Sequence, residues 1–169
     1  YIQDIYQRSH QCATIQLDFQ LPNKFNLKYT DQSEFKTPIL IHRALLGSIE
    51  RMMAILIEHY HGKWPLWLSP RQIAICTVSD DVISYANKIQ SVLISKPYLY
   101  YTDIIANKMS LNKKIKIAQL KQYNYIIIIG SKEISSQTIS IRSRNGQELG
   151  SMNIKKFITL LENDIKHYK

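Results

Sequence analysis

The sequence predicts an α/β protein with a mixed, mostly parallel sheet, and three observations lead to that class. From residue 72 onward, short apolar runs that alternate with a period of two are interleaved with segments in which apolar residues recur every three or four positions. The run Tyr125–Ile129 contains four consecutive isoleucines, which is typical of a central strand buried on both faces. The order βαβαβ, then a hairpin, then a helix, predicts about five strands flanked by three helices.

The elements of this C-terminal part follow one another closely. The predicted strands are Gln72–Val78, Tyr98–Asp103, Tyr125–Ile129 and Gln137–Arg142. The predicted helices open at Ser79-Asp80-Asp81, after Ser110, which is placed to cap its helix, and at about Asn153. Asn145-Gly146 is a strong signal for a tight turn, so the fourth strand continues into a hairpin.

The residues of the N-terminal part follow a different pattern. Residues 11–19 alternate between an apolar face and a polar face, which indicates a strand, and a second strand is expected at Pro38–Ala44. Residues 21–37 are interpreted as a polar connection with turn signals. A helix is predicted after Ser48, its cap, because apolar residues between Ile49 and Tyr60 recur at helical spacing and form a core stripe.

Two prolines and a glycine between residues 61 and 70 make this segment the best candidate for a domain boundary. It also contains two tryptophans and two leucines, so we expect a packed junction and not a floppy linker. The predicted organisation is an N-terminal domain remnant at 1–63, a junction at 64–71 and a C-terminal domain at 72–169.

The net charge of +9 is concentrated in the C-terminal part. Residues 1–104 carry 10 Lys/Arg against 9 Asp/Glu, whereas residues 105–169 carry 12 against 4, a net charge of +8. A positive field attracts polyanions such as nucleic acid, although a merely cationic surface is the alternative. The longest apolar run is too short to span a bilayer, so no membrane partner is expected. Cys12 and Cys76 show no metal-type spacing and fit a reducing compartment.

Two segments break the structural pattern in a way that suggests a site. The polar face of strand 11–19 presents Thr14, Gln16 and Asp18, short groups suited to hydrogen-bonding a ligand, although an ordinary half-exposed strand would look similar. Residues 42–51 form a strand, a break at a glycine and a capped helix with an arginine in its first turn. Singly, such an arginine is usually a surface salt-bridge partner, and a lone His42 is usually a satisfied core residue.

Longer strings resemble threonyl-tRNA synthetases. Residues 10–22 (HQCATIQLDFQLP) resemble a late strand of their catalytic domain, residues 42–51 (HRALLGSIER) resemble motif 3, and residues 64–72 (WPLWLSPRQ) resemble the junction to the anticodon-binding domain. The similarity continues through residues 111–115 (LNKKI) and 122–125 (QYNY). The first string and the junction are most similar to the eukaryotic cytosolic branch, which implies a cytoplasmic protein. The resemblance implies the last strands and motif 3 helix of a class II antiparallel catalytic domain, followed by an anticodon-binding domain.

For the catalytic domain, the resemblance implies a role for each matching residue. Arg51 would stack on the adenine of ATP, with Gln11 and Ser48 lining the adenosine site. Thr14 and Gln16 would lie beside the aminoacyl substrate. His42 would be one of three ligands of a zinc ion that binds the amino and hydroxyl groups of threonine.

For the C-terminal domain, the resemblance implies that Glu133 and Arg142 contact anticodon bases of tRNA(Thr). Lys116 stands where bacterial relatives often have arginine, so it keeps the charge but loses the two-pronged geometry. Further lysines are expected to contact phosphates, and three tyrosines are candidates for stacking on bases or for the core. These lysines are Lys108, Lys113, Lys114 and Lys121, and the tyrosines are Tyr100, Tyr101 and Tyr123.

The leading interpretation is a threonine–tRNA ligase that uses ATP and Mg²⁺ and forms a homodimer through its N-terminal elements. The other two zinc ligands, motif 1 and motif 2 are expected upstream of Tyr1, so the 169-residue chain is expected to bind ATP, Mg²⁺ and Zn²⁺ poorly and to act mainly in anticodon-loop recognition. The alternative is a catalytically inert synthetase-like protein that acts as an RNA-binding or accessory subunit. A small-molecule-binding α/β domain is a third interpretation, but it does not account for the +8 charge.

Overall fold

The computed structural model describes residues 1–98, 100–105 and 108–169. It divides into a first unit, Tyr1–Gly62, and a second unit, Lys63–Lys169. The division therefore falls just before the predicted junction at 64–71. Within the described ranges, no helix has both the length and the apolar character needed to cross a bilayer.

The first unit is built from short antiparallel pairs and two helices. Its elements are β1 (Ile2–Gln3), β2 (Ser9–His10), β3 (Thr14–Asp18), α1 (Gln20–Lys24), β4 (Tyr29–Asp31), β5 (Glu34–Lys36), β6 (Leu40–Ala44) and α2 (Ile49–Tyr60). Strand β1 pairs with β2, β3 with β6, and β4 with β5.

The prediction of a polar connection over residues 21–37 was wrong, because this stretch forms helix α1 and the β4–β5 hairpin. The hairpin turns at Gln32 and Ser33, whose φ angles are +48° and +76°. Positive φ at both central positions matches the twist of the flanking strands, but glycine or asparagine usually supplies it. The sequence has neither at these positions, so the turn signal predicted at Thr30-Asp31-Gln32-Ser33 did not indicate a hairpin.

The apolar faces of the first unit are not a closed core. Ile15 is 67% exposed and Leu17 is 59% exposed in strand β3. Helix α2 has no buried residue, so the prediction that its apolar stripe is a core stripe was wrong for the described chain. Three separate two-stranded sheets and two helices offer too little surface to cover one another. The predicted helix cap is confirmed, because the Ser48 side chain accepts a hydrogen bond from the backbone N–H of Arg51.

Among its described residues, the second unit contains one five-stranded sheet and four α-helices. Its elements are β7 (Ile73–Thr77), α3 (Ile83–Ile94), β8 (Thr102–Ile105), α4 (Leu111–Leu120), β9 (Tyr125–Ile129), α5 (Ser131–Ser136), β10 (Ile139–Ser143), β11 (Glu148–Met152) and α6 (Ile154–Lys166). The strand order is β11-β10-β9-β7-β8, in which β7 is parallel to both neighbours and β10 is antiparallel to β9 and β11. The predicted fold class is confirmed.

Each face of this sheet has its own core. Helices α3 and α6 cover one face, where Leu93 and Phe157 join a cluster with the strand residues Ile75 and Ile127. Helix α4 covers the other face, where Ile115 and its neighbours pack on the alternate residues of β7 and β9. All five residues of β7 are buried, because helices lie on both sides of this strand.

Three details differ from the sequence prediction. Helix α5 was not predicted; it begins where the backbone N–H of Gly130 donates to the carboxylate of Glu133 at 2.8 Å. Ser110 precedes α4, but its side chain makes no capping hydrogen bond. Strand β8 begins at Thr102, later than the predicted Tyr98; Leu99 of that predicted strand lies outside the described residues.

Residues 63–71 pack within the second unit. Leu66 is 1% exposed and its backbone N–H donates to the carbonyl of Lys169 at 2.7 Å. The carbonyl of Trp64 accepts hydrogen bonds from the side chains of Asn124 and Arg144. These bonds tie the junction to the sheet and to the C-terminal end of the chain.

The replacement Leu66→Ala is expected to destabilise the second unit by about 2–5 kcal/mol, because it leaves a cavity in a closed core. The matched control is Leu120→Ala, since Leu120 is 73% exposed and its loss should cost less than about 0.5 kcal/mol. Both tryptophans of the chain, Trp64 and Trp67, lie in the second unit, so urea denaturation followed by tryptophan fluorescence measures this effect. Equal costs for the two leucines would contradict the packed junction.

Candidate functional site

The sheet face that carries α4 is only partly covered. In the register of β9, β10 and β11, Ser140 stands between Ile128 and Ser151, and Arg142 is opposite Glu148. Helix α4 packs on the β7 and β9 side of this face, and the part over β10 and β11 remains open. A cavity of about 280 Å³ lies there, which we call the sheet-face cavity. It is lined by Ile128, Ser140, Ile141, Arg142, Glu148, Gly150 and Ser151.

Arg142 is the donor group of this cavity. Its guanidinium forms an ion pair through Nη2 with the carboxylate of Glu148 on the neighbouring strand. The side chain of Arg142 is 32% exposed and that of Glu148 is 67% exposed, so the pair is open to solvent. One of the five N–H donors of the guanidinium is used in this pair, and the others remain for a ligand.

Glu133 lies next to the cavity but does not line it. Its Oε2 accepts from the backbone N–H of Gly130 at 2.8 Å, and its Oε1 accepts from the hydroxyl of Ser140 at 2.8 Å. Partial burial acts to raise the pKa of the Glu133 carboxyl, but the hydrogen bonds from Ser140 and Gly130 outweigh it and the pKa is lowered. The ionised carboxylate therefore connects the start of α5 with strand β10.

The lysines predicted to contact phosphates fall into two groups. Lys108, Lys113, Lys116 and Lys121 are exposed. Lys116 lies one turn before Gln119, whose side chain is beside Gly146 in the β10–β11 turn. Residues three apart share one side of a helix, so Lys116 lies on the α4 edge next to the open part of the sheet.

The prediction for Lys114 as a surface phosphate contact is corrected by the structure. Lys114 is 2% exposed, and its ammonium donates to the carbonyl of Thr77 at 2.8 Å and to the hydroxyl of Thr77 at 3.1 Å. A helix places residues 113 and 114 about 100° apart, so one lysine points to solvent and its neighbour points to the sheet. Two adjacent lysines in the sequence do not indicate which of the two is buried.

The three tyrosines predicted either to stack on bases or to belong to the core also divide into buried and exposed residues. Tyr100 and Tyr123 are buried, and Tyr123 donates its hydroxyl to Asp103, so neither ring is open for a nucleic-acid base. Burial raises the pKa of the Tyr100 hydroxyl to about 12. Tyr101 is exposed. The core alternative therefore holds for two of the three tyrosines.

In the first unit, three residues predicted for ATP lie around one crevice. It is lined by Ile2, His10, Gln11, Cys12, Leu46, Ser48, Arg51, Met52 and Ile55. Gly47 brings the two segments together: its φ is +65°, and a Cβ there would approach the carbonyl oxygens of Gln11 and Cys12 to 3.2 Å. The glycine therefore permits a close approach between two backbone segments of the protein, Gly47 and residues 11–12. This contact places Gln11 beside the start of α2.

The remaining predicted catalytic residues lie on the β3–β6 pair. Thr14 is opposite Ala44, and Gln16 is directly opposite His42. Gln16 and His42 line a second cleft of about 500 Å³. The Nε2 atom of His42 is 3.1 Å from Oδ2 of Asp18, whose Oδ1 accepts the backbone N–H groups of Gln20 and Leu21. These backbone bonds and the contact with His42 lower the pKa of Asp18, against the effect of desolvation.

The structure tests whether these residues fit a zinc ion. His42 fits as one ligand, because one ring nitrogen faces a carboxylate and the other is left for a metal. A zinc site needs three or four ligands. Across the described ranges, no group of three or more His, Cys, Asp or Glu side chains is placed to hold a metal ion. His42 is therefore one candidate zinc ligand, and the described residues bring no group of three such ligands together.

Three polar residues of these clefts were given no specific role by the sequence, although Asp18 was named with Thr14 and Gln16 as suited to hydrogen-bonding a ligand. Asp18, Ser140 and Glu148 each touch a predicted residue, namely His42, Glu133 and Arg142 respectively. Asp18 lay on the predicted polar face of its strand and Ser140 lay within the predicted fourth strand, so the alternation of side chains along a strand was the available signal. The position of Glu148 opposite Arg142 depends on the register of the β10–β11 hairpin, and the predicted turn alone did not determine that register.

Comparison with known proteins agrees with this geometry. Residues 72–164 match the family model described as "Anticodon binding domain". The chain belongs to the anticodon-binding domain family. Residues 1–60 match the model described as "tRNA synthetase class II core domain (G, H, P, S and T)". The resemblance to the C-terminal part of threonyl-tRNA synthetases is confirmed.

Several relatives of this anticodon-binding domain protein are similar along nearly the whole chain. The probable threonine–tRNA ligase 1, cytoplasmic, of Dictyostelium discoideum is 46% identical over 172 residues, which cover 100% of this chain and 24% of that protein. The threonine–tRNA ligase 1, cytoplasmic, of Homo sapiens is 47% identical over 163 residues, covering 95% of this chain and 22% of that protein. The chain thus spans about a quarter of the length of these relatives.

Solved structures of other proteins are similar to this chain as well. The crystal structure of the RNA binding domain of threonyl-tRNA synthetase from Cryptosporidium parvum Iowa II has a TM-score of 0.82 and 37% sequence identity, covering 95% of this chain and 41% of that one. Giardia lamblia prolyl-tRNA synthetase in complex with prolyl-adenylate has a TM-score of 0.64 at 18% identity, with 94% of this chain and 36% of that chain covered. The second similarity concerns the fold alone.

The two adjacent lysines of α4 in this anticodon-binding domain give a matched test of surface charge. If Lys113 makes the phosphate contact predicted from the sequence, Lys113→Ala should weaken the binding of an anticodon stem-loop RNA and reduce the slope of log affinity against log salt by about 1. Lys114→Met should leave that slope unchanged and lower the free energy of unfolding by about 1–3 kcal/mol, because the carbonyl of Thr77 loses its buried donor. Fluorescence titrations at two salt concentrations and urea denaturation measure both effects. An equal change of slope in the two variants would contradict the buried position of Lys114.

Proposed function

We propose that the chain is the C-terminal part of a threonine–tRNA ligase and that its second unit binds the anticodon loop of tRNA(Thr). The observation that carries this proposal is the open sheet face at β10 and β11, where Arg142 and Ser140 line one cavity. The charge supports it, because residues 105–169 have 12 Lys/Arg against 4 Asp/Glu. Membership of the anticodon-binding domain family supports it as well.

The chemistry of the sheet-face cavity suits a splayed anticodon base. A guanidinium donates in a fixed fork, which matches the acceptor groups of a base edge. Single-stranded loops are the usual target of sequence-specific RNA binding, because their unstacked bases expose their edges. The exposed lysines Lys113 and Lys116 on α4 provide the sequence-independent attraction to phosphates. Lys108 and Lys121 add to the same positive surface.

The first unit contributes part of the catalytic centre in this proposal. Gln11, Ser48 and Arg51 surround a narrow crevice of about 10 Å³, so they would contact the adenosine of ATP from the rim of the crevice, and Arg51 lies exposed where its guanidinium can stack on the adenine. Thr14 and Gln16 contact the aminoacyl group from strand β3. That several such residues surround shared clefts favours an active ligase over an inert synthetase-like subunit.

The proposed reaction of the longer protein has two steps. The carboxylate of threonine attacks the α-phosphorus of ATP, which releases pyrophosphate with its Mg²⁺ and forms threonyl-adenylate. A hydroxyl of the 3′-terminal adenosine of the tRNA then attacks the acyl carbon, and AMP leaves. His42 is proposed as one zinc ligand, held by Asp18; the zinc ion would bind the amino and hydroxyl groups of threonine and so reject an isostere without the hydroxyl. A homodimeric, cytoplasmic protein is proposed with it, and several relatives are named cytoplasmic.

Anticodon recognition is tested by titrating the chain with a tRNA(Thr) anticodon stem-loop and with versions that carry one substituted anticodon base. Each lost base contact should weaken binding by about 1–3 kcal/mol. Arg142→Ala should flatten this discrimination, because the guanidinium is the group that faces the cavity. Arg71→Ala is a control, since Arg71 is exposed and does not line the cavity. Equal affinity of the wild-type chain for all versions would reduce the domain to a non-specific polyanion binder.

The 169-residue chain is expected to show no threonine-dependent exchange between pyrophosphate and ATP. The described residues supply one zinc ligand and part of an adenosine crevice, which is too little to orient the carboxylate against the α-phosphate. The assay follows radioactive pyrophosphate into ATP with threonine present and absent. Threonine-dependent exchange by this chain would contradict the assignment of its first unit as only part of a catalytic centre.

A further inference from the structure

Two adjacent lysines stand in the first turn of helix α6. Asn153 caps this helix, because its side chain accepts the backbone N–H of Lys156 at 2.8 Å. Lys155 and Lys156 are the second and third residues of the helix, and both are exposed. No acidic residue stands three or four positions from either lysine, and neither takes part in an ion pair among the described residues. The two charges are therefore unpaired at the surface.

The helix itself does not favour these charges. The N-terminal end of a helix carries a partial positive charge, so a lysine is unfavourable there and an acidic residue is favourable. Helix α5 has the favourable residue at its third position, where the carboxylate of Glu133 accepts the backbone N–H of Gly130. Lys156 occupies the same position in α6, where a glutamate would complete the cap. The lysine therefore stands where another residue would stabilise the helix better.

The other end of α6 carries a lysine that does stabilise the helix. Lys166 lies in the last turn, where the helix dipole favours a cation, and it follows Glu162 by four residues. One helix therefore has both kinds of lysine. Local stability accounts for Lys166 and does not account for Lys155 and Lys156, so we looked for a partner outside the protein.

The lysine pair lies on the side of the sheet-face cavity away from α4. Strand β11 is the outermost strand of the sheet, whereas α4 packs on β7 and β9. Ser151 of β11 lines the cavity, and Lys155 follows it by four residues, which keeps their Cα atoms within about 14 Å of each other. The open part of the sheet thus has exposed lysines on two sides, Lys116 on α4 and the pair on α6.

We propose that the RNA-binding surface of the second unit continues from the sheet-face cavity across the end of β11, and that Lys155 and Lys156 contact phosphates of the anticodon loop there. The ligand is the RNA backbone and not a base. An ammonium is a point charge on a flexible stem, which suits a phosphate and carries no fixed geometry for a base edge. Continuity with the cavity favours RNA over an acidic protein. The inference rests on the proposed function of anticodon binding.

The test titrates the 169-residue chain with the tRNA(Thr) anticodon stem-loop at several salt concentrations. Replacing both lysines, Lys155→Ala with Lys156→Ala, should reduce the slope of log affinity against log salt by about 2, or about 1 for each lost phosphate contact. Discrimination between stem-loops that differ in one anticodon base should remain as in the wild type, because phosphate contacts carry no sequence information.

The matched control removes the same charge from the other end of α6, by Lys166→Ala with Lys169→Ala. The ends of this 13-residue helix are about 18 Å apart, which exceeds the Debye length of about 10 Å at 0.1 M salt. The control should therefore leave the slope close to that of the wild type.

A second readout has the opposite sign. Lys156→Glu should raise the melting temperature of the second unit by about 1–5 °C, because it completes the cap and replaces a cation at the positive end of the helix dipole. The same variant should weaken the binding of every stem-loop. Tryptophan fluorescence follows the melting, since both tryptophans lie in the second unit. Weaker binding by a more stable protein cannot arise from partial unfolding.

The outcomes separate this inference from the proposed function. A wild-type slope in the Lys155→Ala and Lys156→Ala variant, with anticodon discrimination present, would overturn the inference and leave anticodon binding intact. An equal fall of the slope in the control would also overturn it, because only total charge would then matter. Uniform affinity of the wild-type chain for all stem-loops, with a slope that falls in that variant alone, would overturn anticodon recognition and support the phosphate contacts.

Discussion

The burial of strand β7 on both faces is the constraint on which the second unit depends. Ile73 and Ile75 point into one core while Ala74 and Cys76 point into the other, so the strand has no solvated side. A strand of this kind needs helices on both faces, and the parallel connections to β8 and β9 supply them. Burial also raises the pKa of the Cys76 thiol to about 11, so this cysteine is an inert core residue at neutral pH.

The same constraint creates the candidate site. Helix α4 is ten residues long, and it covers β7 and β9. The antiparallel strands β10 and β11 extend the sheet beyond that cover, and the sheet-face cavity lies over these two strands. The exposed strand face carries polar residues at every second position, and a sheet holds these side chains more rigidly than a loop would. The open face is thus a consequence of adding a hairpin to a parallel core.

Charged groups in this protein act in two distinct ways. Glu133 and Lys114 are used to hold the backbone and neighbouring side chains in place, whereas Lys113 and Lys116 keep their charge at the surface. Asp18 belongs with the first pair, because it joins the start of α1 to His42. A count of charged residues does not distinguish these two uses. Of these groups, only the surface lysines, Lys113 and Lys116, present a positive charge that a polyanion can approach without rearrangement of the protein.

The sequence by itself determined the fold class, most of the elements of the second unit and the family, because periodicity and long motif strings are properties of neighbouring residues. It placed Arg142 in a strand and Ser48 at a helix cap for the same reason. The tertiary structure alone decided that Lys114 is buried, that Tyr100 and Tyr123 belong to the core, and that Ser140 stands between Glu133 and the cavity. These outcomes depend on which residues from distant segments meet across the sheet, and hydrogen-bond partners of that kind leave no local pattern in the chain.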